Sequence, residues 1–106
     1  MATKFSKNST PLETTLAFIS NKWTALILRE LLAGTKRFSE MKKSIGSITQ
    51  KVLTSNLRSM EEDGLLTREV FAEVPPRVEY TLTEKGRSLG PVIDAMEAWG
   101  KQNMEE

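Results

Sequence analysis

The chain has 106 residues, the size of one domain, with 39% hydrophobic and 27% charged side chains, the balance of an ordinary globular protein. It contains no Cys and no His, which excludes disulfides, thiol nucleophiles, thiolate redox sensing and imidazole ligands or bases. Metal could be held only by carboxylates and carbonyls, and no spaced run of Asp ligands is present, so no metal or other cofactor is expected. The net charge of +1 hides an asymmetry. Between Lys36 and Arg58 stand six basic residues against one acid, Glu40, so this stretch carries +5 and the rest of the chain −4. Local field governs phosphate binding, and one basic face can serve a nearly neutral protein. No apolar run approaches the roughly 20 residues a bilayer span needs, and the first residues lack the apolar stretch of a signal peptide. A cytoplasmic protein is expected.

Residues 1–9 read as a polar, uncapped arm, with Lys4 and Lys7 able to brush a phosphate. Thr10-Pro11-Leu12-Glu13 is a helix start: Thr as N-cap, Pro at the first helical position, Glu closing a capping box. Leu12, Leu16 and Ile19 form its stripe, with Phe18 beside them, more apolar surface than a short helix needs for one small core. Asn21 caps a second helix, KWTALILRELLAG. Its apolar residues Trp23, Leu26, Ile27 and Leu31, widened by Ala25, Leu28 and Leu32, run almost round it, which predicts the central buried helix. Lys22 and Arg29 lie at its exposed edge and Gly34 ends it.

After Thr35-Lys36-Arg37, the spacing of Phe38, Met41 and Ile45 marks a short third helix, and Gly46-Ser47 turns into a fourth. Ser47 and Thr49 are both candidate caps there, Ser47 with Gln50 fitting a capping box. Leu53, Leu57 and Met60 recur at i, i+4, i+7 and make an apolar back. Lys51, Ser55 and Arg58, with Thr54 alongside, stand on the opposite face. Glu61, Glu62 and Asp63 close the helix and Gly64 stops it. A front of long donors and short hydroxyls suits phosphates and base edges in a major groove, and two short helices joined through a Gly turn fit a helix-turn-helix.

From Leu65 the period changes to two. Leu66, Val70, Ala72 and Val74 alternate with polar or outward positions, as do Val78, Tyr80 and Leu82 after the prolines. Pro75-Pro76 cannot continue a ladder and belongs at a hairpin tip, with Arg77 beside it. Such a tip can enter a minor groove. Thr83 caps a last helix, which Gly90-Pro91 should break or kink. Leu89, Val92, Ile93, Met96 and Trp99 form its apolar face. Covering that face with the first helix of a second copy would bury both. The order helix, turn, helix, hairpin is that of a winged helix-turn-helix. The fold class expected is mainly α with a small β-hairpin wing, a domain over 10–101 and a tail over 102–106.

The run NKWTALILRELLAG, the RF-SE-K block, ITQKVLTSNLR-ME-DGL and VPPRVEYTLTEKG together resemble the HxlR-type winged helix-turn-helix regulators, relatives of the MarR family. The resemblance covers the chain from about Leu12 to Gly100. It implies a cytoplasmic, nucleoid-associated homodimeric regulator bound to palindromic operator DNA. The helix over 49–62 then reads the major groove through Thr49, Gln50, Lys51, Thr54, Ser55 and Arg58. Lys22, Lys36 and Arg37 clamp the backbone, and the wing over 74–77 brings Arg77 to the flanking minor groove. The dimer contact implied is Leu12, Leu16, Phe18 and Ile19 against Val92, Met96 and Trp99. Many members carry a Cys just before the Pro of the first helix; here that position is Thr10, so thiol switching is excluded. A small-molecule inducer would need a pocket, placed here near Phe18, Trp23 and Trp99. With no catalytic segment an enzyme is not expected, and steric repression is the simplest output. The alternative is a winged-helix module that binds protein instead of DNA, against which Lys51 and Arg58 count.

Overall fold

The computed structural model describes residues 9–105, so all but Ser9 of the expected arm lies outside the described residues. The first helix, α1 (Pro11–Phe18), starts as its sequence dictates: the Glu13 backbone N–H donates to Thr10 Oγ1 and the Thr10 N–H to Glu13 Oε1. None of its residues is buried. Asn21 Oδ1 accepts from the N–H groups of Trp23 and Thr24 and opens α2 (Lys22–Leu32). Ile27, Leu28 and Leu31 of α2 are in the core, and the helix touches α3, α4, α6 and the sheet. It is the central helix expected from its wide apolar stripe.

Lys36–Arg37, in the connection expected between the second and third helices, form a short strand, β1. Two residues are too few to show a period. What makes them a strand is pairing with a distant partner, Lys36 with Tyr80 and Arg37 with Glu79. The helix α3 (Phe38–Ile45) follows, and Gly46, at φ +75°, makes the turn that only a residue without Cβ takes readily. The next helix, α4 (Gln50–Glu62), is capped by Thr49, whose Oγ1 accepts from the Val52 N–H. The expected Ser47–Gln50 box does not form. Ser47 instead stays in the turn, its N–H bonded to the Ile45 carbonyl, and this puts Ile48 into the core as an anchor just ahead of the cap.

The strands β2 (Leu66–Phe71) and β3 (Arg77–Leu82) form the hairpin, and the antiparallel sheet runs β1-β3-β2. Leu66 faces Leu82 at the base, and both are buried. The expected inward row Leu66, Val70, Ala72, Val74 holds only at its first member. The strand ends at Phe71, Val70 is more than half exposed, and Val74 is fully exposed in the tip, where nothing covers it. Past the hairpin comes α5 (Glu84–Arg87), one turn stitched to the sheet by Thr83 Oγ1 donating to the Gly64 carbonyl at 2.6 Å. The Thr83 N–H also bonds to the Leu65 carbonyl. Gly86 is buried there: a Cβ on it would sit 2.1 Å from the Leu65 carbonyl oxygen, so α5 docks only because this residue has none.

Gly90-Pro91 gives a full break, and α6 (Gly90–Asn103) is a separate helix with Pro91 in its first turn, where a missing N–H costs nothing. It extends to Asn103, two residues past the expected end of the domain. Ile93 seats α6 on the core, and α6 packs beside α2. Among the described residues no helix is long and apolar enough to cross a membrane.

Candidate nucleic-acid interface

The back of α4 fixes its front. Leu53, Leu57 and Met60 are essentially inaccessible, so the helix presents one face to the core and cannot roll. A partly buried pair of hydrogen bonds adds to this: Thr24 Oγ1 on α2 donates to Asn56 Oδ1 at 3.2 Å, and Asn56 Nδ2 donates to the Val52 carbonyl at 2.8 Å. The opposite face is open. Lys51, Thr54, Ser55 and Arg58, singled out from spacing, and Gln50, implied by the resemblance, line one shallow depression together with Ser59 and Glu62. Neither Lys51 nor Arg58 forms an ion pair with another described residue. Two unneutralised cations and a row of short hydroxyls on a rigid helix can meet phosphates and base edges. Thr49 is the exception in this group, since its hydroxyl is used as the cap.

The flanking cations are placed differently. Lys36 is partly covered, its Nζ 3.8 Å from Glu30 Oε1. The Lys22 ammonium lies over its neighbour Trp23, 4.4 Å from the ring centroid. Arg37 is exposed, and its backbone N–H donates to Glu40 Oε1 at 2.7 Å at the start of α3.

Arg77 departs from the reading of a free side chain at the tip. Its guanidinium is bound by the Glu73 carboxylate and by Glu79 Oε2 at 3.1 Å, and lies 4.1 Å from the centroid of Phe71. The exposed tip is Val74-Pro75-Pro76, and Arg77 is the first residue of β3, folded back along the hairpin. Glu79 and Glu69 are cross-strand partners, so the outer side of the wing is acidic as much as basic. The sequence signal was there, in three glutamates around one arginine, and the two that bind it, Glu73 and Glu79, lie within four residues of it. Arg37 and Arg77 do share a depression with the tip residues.

The residues expected in a dimer contact fall into two groups. Leu12 and Trp99 are each 69% exposed, Leu16 57% and Met96 49%, with no core to enter. Phe18 and Ile19 pack on the chain's own core, Phe18 under the Lys85 ammonium, and Val92 is half-buried. The pocket imagined near Phe18, Trp23 and Trp99 has its nearest counterpart in a groove of about 470 Å³ between α2 and α6. None of those three aromatics lines it; its walls are Leu26, Ile93, Met96 and Met104 among others, with the Arg29–Glu97 ion pair, 3.1 Å, beside it.

The burial of Tyr80 pushes its phenol above the ordinary tyrosine value, while Arg68 pulls the other way, Glu61 pushes it up and Arg58 pulls it down. Three charged side chains from α4 and β2 thus surround a phenol on β3. Arg68 was missed from sequence because one arginine in a polar strand has no signature.

Comparison with known proteins agrees with this geometry. Residues 18–106 match the family model described as HxlR-like helix-turn-helix. The HTH-type transcriptional regulator YdeP of Bacillus subtilis (strain 168) is 51% identical over 92 residues, 87% of this chain and 72% of that protein. Among solved structures, the redox regulator HypR in its oxidised form superposes with a TM-score of 0.85 at 44% identity, over 92% of this chain and all of that one. A transcriptional regulator of the MarR family from Porphyromonas gingivalis W83 superposes with a TM-score of 0.88 at 33% identity, over 94% and 98% of the two chains.

Proposed function

The chain belongs to the HxlR-like helix-turn-helix family and is a transcriptional regulator, and we propose that it works as a homodimeric repressor occupying a palindromic operator. In this reading α4 lies in the major groove, and Gln50, Lys51, Thr54, Ser55 and Arg58 supply base and phosphate contacts. Thr49 sets the angle of the helix by capping it. Lys36, Arg37 and Lys22 serve the backbone beside it, and the tip Val74-Pro75-Pro76 approaches the flanking minor groove with Arg77 bracing the hairpin. Two copies meet through Leu12 and Leu16 of α1 and Met96 and Trp99 of α6, with Phe18, Ile19 and Val92 as the base of the contact. A dimer presents two α4 helices, and a two-fold site on DNA matches them. With no second domain in this span to recruit polymerase, exclusion from the promoter is the output, in the cytoplasm on the nucleoid.

The observation that carries the reading is the α4 front: Lys51 and Arg58 stand exposed on one face without a carboxylate partner among the described residues. The test is fluorescence anisotropy with duplex DNA from upstream of the protein's own gene, titrated over salt beside an unrelated duplex. Tight binding to the first, falling steeply with salt, is expected; each phosphate neutralised contributes about −0.9 to the slope of log K against log salt. Failure to bind any duplex at low salt would move the assignment to a protein-interaction module.

A further inference from the structure

Beside the α4 front, and sharing Thr54 and Arg58 with it, the molecule holds a second basic feature. Thr54, Leu57, Arg58 and Glu61 of α4, with Arg68 of β2 and Tyr80 of β3, line a notch of about 200 Å³ where helix and wing meet. Arg68 and Tyr80 are direct cross-strand partners, so their side chains rise from the sheet side by side toward α4. Two arginines, a tyrosine and a threonine, with Glu61, therefore line one space large enough for a phosphate group. The countercharge present is Glu61, whose Oε1 is 3.7 Å from Arg68 Nε, both side chains about half exposed. An exposed pair of this kind contributes little, whereas a guanidinium takes a phosphate bidentately through two charge-assisted bonds. A tyrosine phenol is protonated at neutral pH, and burial only pushes its pKa further up, so Tyr80 can donate to an anion.

We propose that this notch is a phosphate site, and that it receives a backbone phosphate of the duplex held by α4, with Arg68 as a DNA-contacting residue. The proposal rests on the DNA-binding reading above. It places a contact at the seam between recognition helix and wing, where a strand leaving the major groove passes from one to the other. Glu61 becomes the group that the phosphate displaces.

The test compares the wild-type chain with Arg68→Gln and Glu61→Gln, each titrated over salt with operator and unrelated duplex. Arg68→Gln is expected to weaken both duplexes alike, by about 10-fold, and to lower the magnitude of the salt slope by about one contact. Glu61→Gln, which leaves Arg68 unpaired, is expected to strengthen both. A second arm titrates inorganic phosphate into the free protein and follows the Tyr80 ring and the Arg68 Nε–H by NMR. Saturable shifts that vanish in Arg68→Gln, with the DNA slope unchanged, would keep the anion site but assign it to a free anion. No phosphate response and unaltered DNA slopes in both variants would overturn the site. If the wild type binds no DNA at all, the regulator's DNA reading fails separately and the phosphate arm alone decides the notch.

Discussion

Thr24 and Asn56 are joined across the α2–α4 interface by a hydrogen bond of 3.2 Å, and Thr24 is only 3% exposed. The pair ties the central helix to the middle of the helix that carries the candidate DNA face. Thr24→Val keeps the shape and removes the donor, leaving Asn56 Oδ1 short of a partner. The expected cost is about 1–2 kcal/mol in urea unfolding, with the DNA-facing side chains untouched. A variant as stable as wild type would show that Asn56 finds water there.

Gly86 offers a sharper test of the fold. Its missing Cβ lets α5 lie on the Leu65 carbonyl, and Gly86→Ala must push the two apart. A loss of about 3 kcal/mol is expected, seen as a lowered urea midpoint. Gly100→Ala is the control, since a Cβ there meets no atom within 4 Å. It should be neutral or slightly stabilising in the isolated chain, because alanine favours the helix.

At the candidate interface, Arg58→Ala should weaken operator binding by about 1–3 kcal/mol with unchanged circular dichroism. Unchanged affinity would remove Arg58 from the contact. Arg77→Ala should act through the hairpin instead, because its guanidinium is already held by Glu73 and Glu79. Its effect on DNA should be smaller than that of Arg58→Ala.

For the dimer, Leu16→Lys and Trp99→Ala change side chains that contribute little to the monomer core. Each should shift sedimentation equilibrium toward monomer by about 2 kcal/mol of association energy, leaving circular dichroism unchanged. Persistence of the dimer in the double variant would rule out the α1–α6 contact.

Tyr80 is the sole tyrosine of the chain, so its ionisation can be followed by ultraviolet absorbance without overlap from a second phenol. Its native pKa lies above the ordinary 10.0 chiefly through burial. The native state therefore favours the protonated phenol. Stability from this group is intact below the ordinary tyrosine value and is lost as pH rises through the native one. Tyr80→Phe should flatten that alkaline loss. Arg68→Gln should raise the native pKa further, since Arg68 favours the phenolate.

The parts legible in sequence are those whose cause is local. Thr10 with Glu13, Asn21, Gly46 and Gly64 act on neighbours a few residues away, and the 3.6-residue period of α4 needs no knowledge of what it packs on. The face Lys51 to Arg58 follows from that period alone. What stayed hidden depends on partners far along the chain. β1 exists through Tyr80 and Glu79, and Thr24 is polar inside because Asn56 waits for it. Val70 and Val74 misled for the complementary reason: an alternating pattern shows that a strand has two faces, not that anything covers one of them.

With Leu53, Leu57 and Met60 locked into the core, α4 cannot be swivelled without unfolding the domain around it. In the proposed dimer this leaves an effector a single lever. It must alter the separation or tilt of two rigid readers, by wedging or loosening the helices that join them, so that the two no longer match successive turns of the duplex.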